Sequence, residues 1–339
     1  MMHFLSVVSI FAVPSINSKI IMSNTWYNVF LEKLSIKYPK KSQLAEALMD
    51  LLSIERESAY RRLRGEIIFP AGELVKIALA WNISLDEVIG VDSQQVIFKT
   101  KLLNYIQSSE EEVESMQKII QGLNFLTGIP DLEYLEACNK MPRSLTSGFP
   151  YLRRLQLLEW MYQFSNDEVL PFSQIAFLPE VAKLSSEYYM CIKNLAQVSF
   201  VWDYMIFNSV VCSIRYFHSI DLITNEEKEF IKNDLYALID YMSEVAAKGH
   251  WLETGNKVNL YISHINIDAN YSYYYSETVK ICRVHAFVKN EISTSNPATV
   301  ENFKNWMQLK KRSSVLISET NEKARIDFFK KQQQLVDEL

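Results

Sequence analysis

The chain has 339 residues, of which 48% are hydrophobic and 22% charged, and its formal net charge is -5. This composition is typical of a globular protein and argues against a disordered or strongly basic chain. The 8 glycines are scattered along the sequence, which excludes the clustered glycines of dinucleotide- and phosphate-binding loops.

The first apolar segment, Phe4–Val13, is a run of ten residues. A membrane span needs about 20 apolar residues, so this run is too short to cross a bilayer. No Lys or Arg precedes it, unlike the start of a signal peptide. A helical pattern begins only after Met22. We therefore predict that residues 1–23 are an extension outside the folded protein, and we expect a cytoplasmic protein without membrane contact.

Five short helices are predicted after this extension. Apolar residues at helical spacing predict helices over Trp26–Tyr38, Ser42–Leu52, Ile54–Glu66, Pro70–Trp81 and Leu85–Ile89. Proline suits the first position of the fourth helix. Ser84, followed by Glu87, has the spacing of a capping box at the start of the fifth.

The third predicted helix is rich in arginine, with Arg56, Arg61, Arg62 and Arg64 within about two and a half turns. Residues 24–66 carry eight Lys or Arg against six Asp or Glu, whereas residues 67–92 carry one against four. Positive charge is thus concentrated around this helix. Taken alone, such a charge run is more often a solvated helix face that neighbouring glutamates neutralise.

Several residue pairs and groups around this helix resemble one family. They are Leu44-Ala45 on the second helix, Arg64-Gly65 at the end of the third, Leu74–Ala78 on the fourth, and Ile83-Ser84-Leu85-Asp86 before the fifth. In these features, residues 24–92 resemble the XRE family of bacterial regulators, which have a lambda-repressor-like helix-turn-helix domain. With the region that follows, the chain resembles Bacteroidetes-type regulators that carry a large helical C-terminal region. One departure is the segment Met49–Ile54, which replaces the family's short glycine-containing turn and lengthens the second helix.

The resemblance implies that the domain binds double-stranded DNA and that the third helix, residues 55–64, enters the major groove. An α-helix fits that groove, and arginine can pair with guanine O6 and N7. We expect Arg61 and Arg62 to read bases, and Lys40, Lys41, Arg56 and Arg64 to hold phosphates. Ser58 and Tyr60 suit either role, and Gln43 completes the predicted DNA-binding set.

Residues 93–339 are predicted to form a larger, mainly helical region for dimerisation or reception of an unknown effector. A helix is expected over Val96–Gln107 and another from Ser109. They form either two separate helices, the interpretation that we favour, or one continuous dimerising coiled coil. Further helices are predicted over Tyr151–Phe164, over Pro179–Phe217 with a break near Val201, over Asn225–Lys248 with a capping box at Thr224 and Glu227, and after Pro297.

Two segments near the C-terminus alternate in polarity and predict strands, at Lys257–Ile267 and Thr278–Lys289. We expect them to form one small antiparallel β pair, joined by a tyrosine-rich turn over Asn270–Glu277. The tyrosines of this turn fit either a ligand pocket or, as we favour, ordinary core packing. The predicted fold class is therefore mainly α, with a five-helix DNA-binding domain, a helical C-terminal region and a β pair near residues 257–289.

No catalytic, metal or cofactor site is expected from the sequence. The four cysteines lie far apart without a CxxC pair, and the five histidines form no HExxH pattern. His264 and His285 fall on the two predicted strands, where packed histidines are more common than catalytic ones. The sequence thus predicts a homodimeric, sequence-specific transcriptional regulator that is not an enzyme. The alternative is a helical protein-interaction scaffold with a degenerate helix-turn-helix.

Overall fold

The structure is a computed structural model. It describes residues 25–81, 83–85, 88, 98–101, 109–164, 169–177, 179–286 and 290–339. The chain divides into two compact units, Met1–Gln95 and Val96–Leu339. The predicted N-terminal extension, residues 1–23, lies outside the described residues.

The first unit is built from short helices. They are α1 (Thr25–Lys37), α2 (Lys41–Leu52), α3 (Arg56–Leu63) and α4 (Ala71–Trp81). Each of the first four predicted helices is therefore present, with ends within three residues of the prediction. Of the fifth predicted helix only Leu85 and Val88 are described, and Val88 is buried.

The helices of the first unit enclose one hydrophobic core. Its centre is aromatic: the rings of Tyr27, Phe30 and Phe69 lie within 6.5 Å of one another, centre to centre. Leu44, Ala45 and Leu48 of α2 and Ile77 of α4 complete it, all 1% exposed or less; the helical spacing of these residues predicted this apolar stripe.

The second unit combines helices with strands. Its helices are α5 (Ser109–Thr127), α6 (Arg143–Thr146), α7 (Pro150–Phe164), α8 (Pro179–Lys193), α9 (Asn208–Ser219), α10 (Asn225–Lys248), α11 (Pro297–Arg312) and α12 (Glu322–Asp337), with a 3₁₀ turn at Phe172–Gln174. Its strands are β1 (Lys99–Lys101), β2 (Glu133–Cys138), β3 (Gln197–Asp203), β4 (Lys257–Ser263), β5 (Tyr271–Tyr275), β6 (Lys280–Ala286), β7 (Asn290–Thr294) and β8 (Val315–Leu316).

The described strands form one mixed sheet in the order β1-β7-β6-β5-β2-β3-β4-β8. The three strands β2, β3 and β4 run parallel, and their connections contain the helices α6 to α10. Every other neighbouring pair is antiparallel. A parallel centre needs helical crossovers, which explains why helices and strands alternate between residues 133 and 263.

The predicted fold class was wrong for this unit, because the protein is mixed α/β and not mainly α. The long helix predicted over Pro179–Phe217 is α8, strand β3 and helix α9. Strand β3 has the sequence QVSFVWD, and its five middle residues are all buried. A strand buried on both faces is a continuous apolar run without alternation, so periodicity does not separate it from a buried helix.

The predicted β pair was also wrong. Strands β4 and β6 match the two expected segments, but β3, β2 and β5 lie between them in the sheet. The expected turn, Asn270–Glu277, contains strand β5, whose residues Tyr273 and Tyr274 are buried. Packing is thus the role of these two tyrosines. Aromatic residues favour strands, and this preference outweighed the polar character of the segment.

Hydrophobic cores cover both faces of the sheet. The larger one joins it to helices α5, α7, α8, α9, α10 and α12, with Phe200, Trp202 and Trp251 fully buried. The smaller one lies on the opposite face under α11, where Val300 and Met307 pack against Leu135 and Val201. The second unit is therefore a three-layer arrangement of helices, sheet and helix.

A continuous coiled coil through the helix from Ser109 would present Met116, Ile120 and Leu123 to a second chain. Helix α5 starts at Ser109, but all three of these side chains are buried in the core of their own unit. They therefore do not form a seam for a second chain. Of the helix predicted over Val96–Gln107, residues Lys99–Lys101 form strand β1, and the other residues except Phe98 lie outside the described part.

Helix α10 begins and ends as the sequence predicted. The Thr224 hydroxyl accepts from the Glu227 amide, the Glu227 side chain accepts from the Thr224 amide, and Gly249 ends the helix with a φ of 73°.

None of the helices in the described part of the chain has the length and apolar composition needed to span a bilayer.

Candidate nucleic-acid interface

The turn between α2 and α3 sets the direction of the arginine-rich helix. Helix α2 ends at Ser53, whose φ of 55° is left-handed, and Ile54 and Glu55 lead into α3. Left-handed backbone favours glycine, so a serine here carries a conformational cost. The segment Met49–Ile54 thus ends α2 with a serine in the left-handed conformation.

One side of α3 is fixed in the core. Ala59 is completely buried, and Leu63 packs against the same cluster. The Tyr27 hydroxyl donates to the carbonyl oxygens of Arg62 and Ile67, both at 3.1 Å, so α1 holds the end of α3. Burial raises the pKa of Tyr27 to about 12, and this hydroxyl therefore stays a donor at neutral pH.

Arg62 is not where the sequence predicted it. It was expected to face outward and read bases, but it is only 9% exposed. Its guanidinium donates to Glu73 through Nε (2.8 Å) and Nη2 (2.9 Å), and through Nη1 to the Ser58 hydroxyl at 2.6 Å. It also lies over the Phe69 ring, 5.8 Å from the ring centre. Arg62 therefore joins α3 to α4 and is not free to contact a base.

The same contacts decide the position of Ser58. Its hydroxyl accepts the hydrogen bond from Arg62, and the residue is half-buried. Arg62 follows Ala59 by three residues, a spacing that places both on one side of a helix. This spacing was the signal in the sequence that Arg62 faces inward.

Arg64 and Arg61 are exposed, but glutamates lie beside them. Arg64 donates to Glu66 through Nε (2.6 Å) and to Glu57 through Nη2 (2.9 Å). The hydrogen bond from Arg64 lowers the pKa of Glu66, so that carboxylate stays charged. The Nε of Arg61 lies 3.4 Å from the same carboxylate, and the Arg61 side chain is 50% exposed. Such solvent-exposed pairs are weak, so both arginines can exchange their partner for a phosphate or a base.

The other predicted contact residues lie on the surface. Lys40, Lys41 and Gln43 are exposed at the start of α2, and Arg56 is exposed at the start of α3. The Arg56 guanidinium lies 5.9 Å from the centre of the half-buried Tyr60 ring. Within residues 25–81, the ion pairs of the predicted set involve Arg61, Arg62 and Arg64. Lys40, Lys41 and Arg56 are the cations of the set that they leave unpaired.

The exposed side chains of this surface are of the type that pairs with phosphates. Arg56 and Arg61 project from a short helix, and two lysines are exposed at the start of the preceding one. In the part of the chain that the structure describes, no group of three or more His, Cys, Asp or Glu is arranged to hold a metal ion. No protein-family model, curated protein or solved structure matches this chain.

Proposed function

We propose that this protein is a sequence-specific DNA-binding regulator of transcription and that α3 enters the major groove. The observation that carries the proposal is the exposure of Arg56 and Arg61 on a helix whose other side is fixed by Ala59 and Arg62. A rigid helix with outward arginines can place them against base edges. The resemblance of residues 24–92 to lambda-repressor-like domains supports the same function.

The proposal assigns different roles to the basic residues. Arg61, in the middle of the exposed side, is the candidate for base contact; a bidentate pair with guanine contributes about 1–3 kcal/mol of discrimination. Arg56, Lys40 and Lys41 hold phosphates, as does Arg64 once it releases its glutamates. Arg62 is a positioning residue, because it acts through Glu73 and Ser58.

Two further parts of the proposal concern assembly and location. An eight-residue helix contacts few base pairs, so we infer a homodimer that binds two half-sites about one helical turn apart. Light scattering should give twice the mass of the 39.5 kDa chain at micromolar concentration. A transcription regulator has to reach DNA, so the proposal places the protein in the bacterial cytoplasm.

Selection of duplexes from a random DNA pool tests the function. The full chain should enrich one sequence pattern, and Arg61→Ala should weaken binding to the selected duplex by about tenfold or more and relax one base position. Arg215→Ala is the matched control: it removes one exposed charge from the second unit, at an ion pair with Glu338. If no pattern is enriched, the alternative of a protein-interaction scaffold replaces the proposal.

A further inference from the structure

One face of the sheet in the second unit carries a row of polar residues. Glu136 pairs with Ser272, Ser272 with Arg283, and Arg283 with Ser293, across strands β2, β5, β6 and β7. Residues that pair directly point to the same face, so these four side chains form one row across the strands. His285 follows Arg283 by two residues and therefore lies on the same face.

A cavity of about 560 Å³ lies against this polar row. Its floor includes Glu136, Arg283 and His285, and its walls include Tyr188 from α8 and Glu159 from α7. Small-molecule sites usually enclose about 300–1,000 Å³, so the cavity has the size of such a site. Its lining residues on the sheet come from the parallel strand β2 and from the antiparallel strands β6 and β7.

Two buried nitrogen atoms of the floor have no hydrogen-bond partner in the described part of the structure. They are Nε of Arg283 and Nε2 of His285. The nearest carboxylate oxygen to His285 Nε2, Oε1 of Glu136, is 3.8 Å away, which is too far for a hydrogen bond. Buried polar atoms of a folded protein are almost always paired, so two unpaired ones beside a cavity indicate a missing partner.

The contacts of Arg283 use one face of its guanidinium and its Nη1 but leave Nε without a partner. The group lies over the Tyr274 ring, 4.9 Å from the ring centre, and its Nη1 is 3.6 Å from Glu291. Neither contact uses Nε. A guanidinium with an unpaired donor suits a carboxylate, because the planar group donates in fixed directions.

Glu136 supplies the opposite charge. It is 2% exposed and accepts a hydrogen bond from the Ser144 hydroxyl at Oε2, at 2.7 Å. Its second oxygen, Oε1, lies 3.8 Å from Nε2 of His285. A buried carboxylate is stabilised by a positive group or by further donors.

We infer that this cavity binds a small zwitterionic molecule that carries both a carboxylate and a protonated amine, the chemistry of a free amino acid. Its carboxylate pairs with the Arg283 guanidinium and the His285 imidazole, and its ammonium group pairs with the Glu136 carboxylate. The lining carries acidic side chains (Glu136, Glu159, Asp268 and Glu291) together with basic ones (Lys140, Arg143 and Arg283), and this mixture suits a ligand that carries both charges. The inference goes beyond DNA binding and does not depend on it.

Calorimetry and thermal shift with the full wild-type chain test the inference. The probes are the twenty standard L-amino acids, with succinate as the dicarboxylate control and putrescine as the diamine control. At least one amino acid should bind and raise the Tm, whereas succinate and putrescine should bind at least tenfold more weakly. Equal or tighter binding of either control, or no binding of any amino acid at millimolar concentration, would overturn the inference.

Two variants then locate the site. Glu136→Gln retains the shape of the side chain and removes its charge. Arg283→Gln removes the guanidinium and its unpaired donor. Each should weaken amino-acid binding by tenfold or more, while Arg215→Ala leaves it unchanged. Circular dichroism confirms that each variant is folded, and wild-type affinity in both folded variants would show that the ligand binds elsewhere. The wild-type probe measurements decide the inference if either variant does not fold.

Discussion

Arg62 and Glu73 connect α3 to α4 through two hydrogen bonds, Nε to Oε2 at 2.8 Å and Nη2 to Oε1 at 2.9 Å. The side chains are 10% and 22% exposed, so the pair is largely shielded from water. The geometry is that of a bidentate arginine–carboxylate pair, which fixes direction as well as distance. One of the two arginines that were expected to read bases thus holds the helix in place.

Removal of Arg62 should destabilise the first unit. Arg62→Ala leaves Glu73 without its cation, and breaking a buried pair in this way costs about 3–5 kcal/mol; partial exposure of Glu73 reduces the cost to about 2–3 kcal/mol. Hydrogen exchange measured on the full chain should become faster in peptides from α3 and α4. Arg56→Ala, at an exposed position of the same helix, should leave exchange unchanged, and equal rates in wild type and Arg62→Ala would contradict the role given to the pair.

The left-handed Ser53 offers a stabilising substitution. Its φ is 55°, and left-handed backbone costs a residue with a side chain about 1–2 kcal/mol. Ser53→Gly should therefore raise the opening free energy of α2 by about 0.5–1 kcal/mol, since glycine loses part of the gain as chain entropy. Amide exchange of α2 peptides measures this. Ser53→Ala retains the β-carbon and should give no gain; a gain as large as that of glycine would show that φ is not the cause.

Glu159 should make the second unit less stable as the pH rises. Burial raises the pKa of this carboxyl group, and a hydrogen bond from Ser213 opposes the shift in part. At pH values between the ordinary pKa of a glutamate and the raised pKa of Glu159, the folded state binds more protons than the unfolded state. The stabilising contribution is thus complete below the ordinary pKa and is lost as the pH rises through the folded pKa.

The measurement is urea unfolding of wild type and Glu159→Gln from pH 4 to pH 8. Glutamine cannot ionise, so the variant should be more stable than wild type at pH 8, and the difference should shrink towards pH 4. The exposed Glu229→Gln should show no such trend. A difference between wild type and Glu159→Gln that is constant over the whole pH range would exclude burial of Glu159 as its cause.

The sequence predicted the helices well where amphipathic spacing or a cap was present. Helices α1 to α4 follow apolar stripes, and α10 has its capping box at Thr224 and Glu227. The sheet was largely missed because β2 and β3 are buried over nearly their full length and do not alternate. Strand pairing joins residues distant in the chain, such as Glu136 and Ser272, and local patterns do not record it.

The candidate DNA surface was predicted only in part. Exposure of Lys40, Lys41, Arg56 and Arg61 follows from their positions relative to the apolar stripe. The inward position of Arg62 depends on Glu73 in another helix, which a charge count does not show. The cavity lined by Glu136 and His285 was not predicted, because these residues come from strands that the sequence did not place together.

The salt dependence of binding to the selected duplex tests the central claim most directly. Fluorescence anisotropy from low to moderate salt should give a steep fall of log K with log salt concentration. Lys40→Ala with Lys41→Ala should reduce the slope by nearly 2, about 0.9 for each lost phosphate contact. Binding without salt dependence, an unchanged slope in the double variant, or no binding by the wild type would contradict DNA recognition by this surface.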